Sequence, residues 1–351
     1  MRVVILAAPL SARSGVYRST VELVEAARGR GLDWHAQIGV RRGAAGASAR
    51  DVTGVTEWVV DAHGFGVANE IRRTSAAFIA EADVVITMVP QSDLAVAGLR
   101  RPRPGRHVAW VRGLPWAAPG EQSRSRRWQL RAAAHWSLSR ADAVWATTPL
   151  LRDEIRSVAD ARIVPAGVPP LARVHDGSTL GPLVFAGRLS AEKNAELFVA
   201  LARATGHSAV VHGDGPLLEA LRAIAPTALA WAGWSRAEDI WRAPGTFVCP
   251  SYREAFGRSA VEAASAGMPA VLSDRTGVAE QLINDPDLAA RFILPPTALA
   301  RWIEAIRSLD AEPALRRRLS DHISDNARHL STGASLDAAL SALGTPTRRN
   351  T

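Results

Sequence analysis

Leu183-Val184-Phe185-Ala186-Gly187-Arg188-Leu189-Ser190-Ala191-Glu192-Lys193-Asn194 is the stretch that decides the fold. Four apolar residues of strand length run into a glycine, then into two cations and the opening of a helix. A strand that passes straight into a helix is the repeating unit of a parallel sheet. The junction puts Arg188, Lys193 and the free N–H groups of a helix start at one strand end, the combination a phosphate group requires. A surface loop with two solvated cations is the plainer reading. Composition weighs against it. Of 42 basic residues 41 are Arg, and Lys193 is the single Lys. That bias suggests the GC-rich genome of a bacterium, and a compact ammonium retained where a guanidinium will not serve.

The same alternation continues outward. Downstream, strands are expected at Ala209–His212, Leu229–Ala232, Thr246–Cys249, Ala270–Leu272 and Phe292–Leu294, with helices between. Upstream, strands are expected at Val3–Ala8, Trp34–Val40, Glu57–Val60, Val84–Val89, His107–Val111, Ala143–Ala146 and Arg162–Pro165. Residues 9–15 and 43–46 read as loops, and 101–105 as a turn. Helices are expected near 16–30 (capped by Gly31), 67–82, 122–139 and 150–158. Two successive strand–helix series imply an α/β chain with two doubly wound parallel sheets. The Gly- and Pro-rich segment 169–182 is the expected linker. It joins a first domain, residues 1–168, to a second, residues 183–330. Residues 331–351 form a last helix (337–343) and a tail that can pack back on the first domain. Ligands then belong at the carboxyl ends of the strands, in the cleft between the domains.

Length and composition agree. At 351 residues, 47% apolar and 22% charged, the chain suits two globular domains of about 150 residues. No apolar run approaches the ~20 residues of a membrane helix. The apolar start is broken at Ser11-Ala12-Arg13-Ser14, too early for a secretory signal. Cys249 is the single cysteine, which excludes a disulfide scaffold and a cysteine-rich zinc site. A cytoplasmic protein is expected, with peripheral contact at the inner membrane surface left open. The net charge of +8 lies wholly in residues 1–165, which hold 23 basic and 15 acidic residues. It concentrates at Arg100–Arg106 and Arg124–Arg131. An anionic partner and a solvated face both explain this excess. No zinc finger or RNP-type strand supports a nucleic-acid partner.

Further motifs follow the second-domain strands. Glu254-Ala255-Phe256-Gly257-Arg258-Ser259-Ala260-Val261-Glu262 places two carboxylates eight residues apart, one before a helix and one in its first turn. Carboxylates suit sugar and ribose hydroxyls. Alternatively Ser259-x-x-Glu262 is a capping box that needs no ligand. Gly213-Asp214-Gly215-Pro216 reads as a tight turn. Ser14-Gly15 is a weak phosphate contact at the first strand–helix junction. Asp285-Pro286-Asp287 has the form of a metal motif but is ordinary turn chemistry. His207 and His212 lack metal spacing. Trp110, Trp116, Trp128, Trp136 and Trp145 crowd one region, where core packing accounts for most. Trp116, on a Gly-Pro loop, is a candidate sugar platform or membrane contact.

Taken together, residues 184–194, His212-Gly213-Asp214-Gly215-Pro216, Trp231-Ala232-Gly233-Trp234, Pro250–Glu262, Ala266-Gly267-Met268-Pro269 and Gly277-Val278-Ala279-Glu280 resemble the family-4 glycosyltransferases of GT-B fold. The resemblance is strong over about 183–285 and weak before it. It implies two Rossmann-like domains and a retaining transfer from a nucleotide sugar, with UDP and GDP donors both compatible. It implies that the leaving phosphate takes the acceptor proton on one face of the sugar. Neither cofactor nor metal is implied, the nucleotide sugar being a substrate. Arg188 and Lys193 would grip the diphosphate and stabilise its charge. Glu254 would bind sugar hydroxyls, helped by the amides of Phe256 and Gly257. Glu262 would bind the ribose and Trp234 would lie near the base. Gly15, Gly187, Gly213 and Arg258 complete the expected donor contacts.

The chain departs from the family at two points. Ser14-Gly15 stands where Gly-Gly is usual, and Arg112 follows a strand where a His is usual. Arg112 would then contact the acceptor or a phosphate, while His107 reads as a plain strand-edge residue. The substitution at Arg112 keeps open a second reading, a catalytically weak GT-B relative that binds a nucleotide sugar or an anionic partner without turnover.

Overall fold

The computed structural model describes residues 1–13, 15–46, 51–64, 66–99, 105–114, 116 and 123–344. The chain forms two units. One comprises Met1–Gly167 and the segment from Thr332 onward, the other Val168–Ser331.

The first unit is built on seven strands: β1 (Val3–Arg13), β2 (Trp34–Gly46), β3 (Val55–Val60), β4 (Val84–Thr87), β5 (Arg106–Val111), β6 (Ala143–Ala146) and β7 (Arg162–Ile163). All pair in parallel, in the order β3-β2-β1-β4-β5-β6-β7. Val3 of β1 pairs with Trp34 on one side and Val84 on the other. Central parallel strands are covered on both faces, which is why Val3–Leu6 is apolar at every position rather than at alternate ones. One face packs Val21, Leu23 and Val24 of the helix Gly15–Gly29 against Leu336, Ala339 and Leu343 of the last helix, Thr332–Gly344. That helix is further tied by Ser335 Oγ to the Pro165 carbonyl (2.6 Å) and by Arg30 to Asp337 (2.5 Å).

The second unit repeats the plan with β8 (Leu183–Ala186), β9 (Ala209–His212), β10 (Leu229–Gly233), β11 (Thr246–Cys249), β12 (Ala270–Ser273) and β13 (Ile293–Leu294). These are parallel in the order β10-β9-β8-β11-β12-β13. In both sheets the order reverses direction at the first strand, the switch point at which strand-end loops part and leave room for a ligand.

Several sequence expectations need correction. Residues 9–13 and 43–46 are strand, because the two extensions pair with each other: Ala12 lies opposite Ala45 and Arg13 opposite Gly46. Pro9 is tolerated in this central strand because the register shifts around it, so its missing N–H breaks no regular ladder. The helix expected over 67–82 is two, Gly66–Thr74 and Ala76–Glu81, interrupted where Ser75 leaves helical backbone (φ −98°, ψ 7°). Pro90 does not merely end a strand. It occupies the first turn of an unforeseen helix, Pro90–Ala97, where its missing N–H costs nothing. The turn expected at 101–105 and the tail 345–351 lie largely or wholly outside the described residues.

His107 is also reassigned. It sits inside the sheet on β5, fully buried, with Nε2 2.9 Å from Thr87 Oγ1. The same hydroxyl donates to Asp93, a carboxyl buried in the helix Pro90–Ala97. Burial raises the Asp93 pKa to about 7, against a smaller lowering by the Thr87 hydroxyl. The folded state therefore holds a proton that the unfolded chain releases above an ordinary 3.8. Stability should fall as pH rises from about 4 to about 7, by up to roughly 1.4 kcal/mol per pH unit from this group. Urea unfolding across that range checks it. Asp93→Asn should flatten the slope, and an identical profile in the variant would refute the assignment.

Candidate functional site

The site residues of the second unit gather at the carboxyl ends of β8, β9, β10 and β11. After β8 the backbone does not enter a helix directly, as the sequence suggested. Ala191–Lys193 forms one turn of 3-10 helix, and Asn194 takes a left-handed conformation (φ 52°) before the helix Ala195–Thr205 begins. Asn194 is buried, and its amide donates to the carbonyls of Pro250 (3.0 Å) and Pro296 (2.9 Å). Asn is among the few non-glycine residues that adopt this backbone readily. The clamp fixes the loop after β8 against the loop after β11. Two further bonds, from the amides of Tyr252 (2.8 Å) and Arg253 (3.4 Å) to the Glu192 carbonyl, strengthen that join.

Lys193 and Glu254, 61 residues apart, meet as an ion pair across it. About a fifth of each side chain is exposed, so the pair is partly desolvated yet reachable. Burial works to discharge Lys193, but the Glu254 carboxylate outweighs it and the pKa is raised overall. The second Glu254 oxygen, Oε1, accepts no hydrogen bond among the described residues. Cys249 lies buried beneath, bonded to Ser251 and Thr276, and burial holds its thiol in the neutral form. Arg188 is exposed and makes no ion pair among the described residues.

The glycines of the motif are needed for close approach. A Cβ on Gly213 would lie 1.9 Å from the Gly187 carbonyl oxygen, and one on Gly215 would lie 2.4 Å from that of Leu189. Amide bonds from Gly187 to His212, Gly213 to Gly233 and Leu189 to Asp214 stitch the three strand ends together. A Cβ on Gly187 would meet only the Phe185 ring, at an ordinary contact distance of 3.9 Å. Trp234 follows Gly233 and is exposed, leaving an indole face available at this edge. His212 bonds to Ser235, and burial lowers its pKa, keeping the ring neutral.

The Glu254–Phe256 segment is backed by residues 275–278. Glu254 and Thr276 form a parallel bridge, the Gly277 amide bonds to Glu254 and the Val278 amide to Phe256. Gly257 has φ 103° and caps the helix Arg258–Ser265 with no side-chain bond. The amides of Phe256 and Gly257 donate to no protein acceptor among the described residues. They stay available at the positive end of that helix. Here the sequence reading is corrected twice. Glu262 is the fifth helical residue rather than part of the first turn, and Ser259 is not a cap. The capping box does not form. Glu262 is instead buried, with Trp241 Nε1 donating to it (3.3 Å) and Arg258 nearby (3.5 Å). Trp241 was not singled out by any motif, and its apolar neighbourhood gave no signal of the bond. Asp285 does cap the helix Pro286–Phe292 and pairs with Arg318, so Asp285-x-Asp287 is used structurally.

In the first unit, Gly15 opens a helix, exposed and with open space where a Cβ would stand. Ser14 lies outside the described residues. Arg112, at the end of β5, donates to Ser19 Oγ (2.7 Å) and lies over the Trp110 ring (4.8 Å). Trp116 is not an open platform. Its side chain is 4% exposed, packed with Ala109, Leu138 and Leu151, with Arg131 across the ring at 5.1 Å. A cavity of about 480 Å³ in the second unit lies elsewhere, between residues 173–179 and those preceding β11 and β12, at the amino ends of the strands.

Comparison with known proteins adds the following. Residues 181–328 match the model of the family described as glycosyl transferases group 1. No curated protein matches by sequence. Among solved structures, sucrose-phosphate synthase (tll1590) from Thermosynechococcus elongatus is similar with TM-score 0.79 and 19% identity, over 98% of each chain. Anabaena Alr3699/HepE in complex with UDP and glucose gives TM-score 0.76 and 13% identity, over 98% of this chain and 99% of that one. The lipopolysaccharide outer core galactosyltransferase WaaB gives 0.67 and 14%, with 98% and 99% covered. Residues 181–328 thus match a glycosyl transferases group 1 domain and carry the Lys193–Glu254 pair, and the chain as a whole shares the two-sheet GT-B fold of these solved structures.

Proposed function

We propose that this chain transfers a sugar from a nucleoside-diphosphate donor to an acceptor hydroxyl with retention of configuration and without a metal ion. The observation that carries this reading is the Lys193–Glu254 pair, set beside the exposed Arg188 and the unpaired amides of Phe256 and Gly257. In the proposed complex, Lys193 and Arg188 hold the diphosphate, the Glu254 carboxylate accepts from sugar hydroxyls, and Trp234 lies by the base. The acceptor oxygen bonds to the anomeric carbon as the carbon–oxygen bond to the diphosphate breaks on the same face. The acceptor proton passes to the departing phosphate oxygen, whose charge the two cations stabilise. Glu262, held by Trp241 and Arg258, presents its carboxylate to the ribose. The excess positive charge of residues 1–165 favours an anionic acceptor.

Relatives on this fold have been seen with UDP and glucose, so UDP is the first nucleotide to test. UDP, GDP and ADP should be compared by thermal unfolding in the presence of chelator. The cognate nucleotide should raise the midpoint in proportion to the logarithm of its concentration. Absence of any shift would count against the donor site.

For turnover, Lys193→Ala should lower kcat/KM by roughly 10²–10³-fold, the scale of losing one preorganised electrostatic contact. Glu254→Gln should depress kcat while nucleotide affinity is retained. Initial rates with radiolabelled donor, together with unfolding midpoints as a folding control, decide the matter. Wild-type rates in either variant would overturn the site, and nucleotide binding with no turnover in the native chain would favour the binding-only alternative.

A further inference from the structure

Asn194 stands next to Lys193 in the chain, buried and in left-handed backbone (φ 52°, ψ 44°). Glycine would meet that backbone without strain and with no polar side chain to bury. The backbone alone therefore does not account for an amide here. Its bonds do, since it donates to the carbonyls of Pro250 (3.0 Å) and Pro296 (2.9 Å). Pro250 follows β11, four residues before Glu254, and Pro296 follows β13. The loop after β13 is itself anchored. Trp302 Nε1 and the Ala298 amide both donate to the Pro295 carbonyl, at 2.9 and 3.1 Å. One side chain thus ties the turn that carries Lys193 to the loop that carries Glu254, and braces both on a third.

The turn leaves Lys193 little freedom of its own. The Lys193 amide bonds to the Ser190 carbonyl (2.9 Å) and the Asn194 amide to that of Ala191 (3.1 Å). A lysine stem is flexible, and a pair that had to find its geometry by side-chain rotation would lose entropy in doing so. Here the backbone carries that order. The charge state depends on it as well. Burial works to discharge Lys193, while Glu254 supports the charge, with smaller support from Cys249 and Glu192. Were the two loops to part, burial would prevail and the ammonium would lose its proton more readily.

We infer that Asn194 is a positioning residue for the transfer reaction: its amide sets the separation of Lys193 and Glu254, and so acts on the step in which the diphosphate leaves more than on nucleotide affinity. The inference rests on the donor reading proposed above. An amide with a structural role alone would cost stability when removed, yet leave Lys193 and the chemistry of the folded chain as they were.

Lys193 is the single lysine, so the full chain labelled with ¹³C at lysine Cε gives one lysine side-chain signal by NMR, and its pH titration reports this group directly. Asn194→Gly keeps the left-handed backbone and removes both bonds. Its lysine should titrate at lower pH than the native one, in the direction that Glu254→Gln also moves it. Asn194→Ser, which keeps one short donor, should fall between and serves if the glycine variant does not fold. Trp302→Phe removes a bond from the same β13 loop without touching the Lys193 turn, so it should lower the urea midpoint and leave the titration in place. In Asn194→Gly, kcat for release of UDP from UDP-glucose should fall about 10–100-fold, the scale of misplacing a group by about an ångström, while KM for the donor changes little. A native titration or a native kcat in folded Asn194→Gly would overturn the inference, as would an equal shift in Trp302→Phe. A native lysine signal that UDP, GDP and ADP all leave unmoved would overturn the donor reading and with it the role in transfer. The titration itself needs no donor, so the two failures are distinguished.

Discussion

Asn194 is a small residue on which the functional end of the second unit depends. Its buried side-chain amide has two donors, and both are taken by carbonyls, those of Pro250 and Pro296, on separate loops. Proline carbonyls at such turns lack regular secondary-structure partners, so the amide satisfies groups that would otherwise be buried unpaired. The bonds require Asn194 to hold a left-handed backbone, and that conformation ends the 3-10 turn bearing Lys193. A hydrogen-bonding need in the interior thus sets where a cation stands at the surface. Glu254, delivered by the loop that Asn194 clamps, meets that cation. The resulting pair is oriented by backbone rather than by two flexible side chains finding one another.

Much of this was legible in the sequence, for a physical reason. Central strands of a parallel sheet are apolar on both faces, so Leu183–Ala186, Thr246–Cys249 and Ala270–Ser273 appear as short uninterrupted runs. Glycines that must approach backbone, such as Gly213 and Gly215, cannot be exchanged for anything larger and so mark the strand ends. What was not legible depended on partners distant in the chain. The extension of β1 past Pro9 exists because β2 extends alongside it. Glu262 carried a plausible capping spacing, yet the helix began one residue before Ser259 and the carboxylate turned to Trp241. Proline at 90 and the tryptophans at 110–145 show the same limit. Residue type announces a boundary or a large apolar group, and only packing decides what lies beyond the boundary or on which side the ring falls.

The two sheets follow one plan but use it differently. At the carboxyl ends of the second sheet, polar groups are left with spare bonding capacity: Arg188, the Glu254 Oε1 atom and the amides of Phe256 and Gly257. Near the corresponding end of the first sheet, the conspicuous polar groups are committed to each other. Arg112 is held by Ser19, Arg13 by Glu57, and Asp93 by Thr87. Spare capacity is what a ligand can use, and the contrast is the physical ground for placing the proposed donor on the second unit.

The chain leaves the first unit at Gly167 and returns to it at Thr332. The returning helix supplies Leu336, Ala339 and Leu343 to a core begun by Val3 and Ile5. On the ribosome, the second unit is therefore complete before the first. The earliest strands must wait, with one apolar flank uncovered, through the synthesis of more than 160 intervening residues. Vectorial synthesis thus gives the middle of this chain priority in folding, and makes its opening strands the part most in need of chaperone protection while they wait.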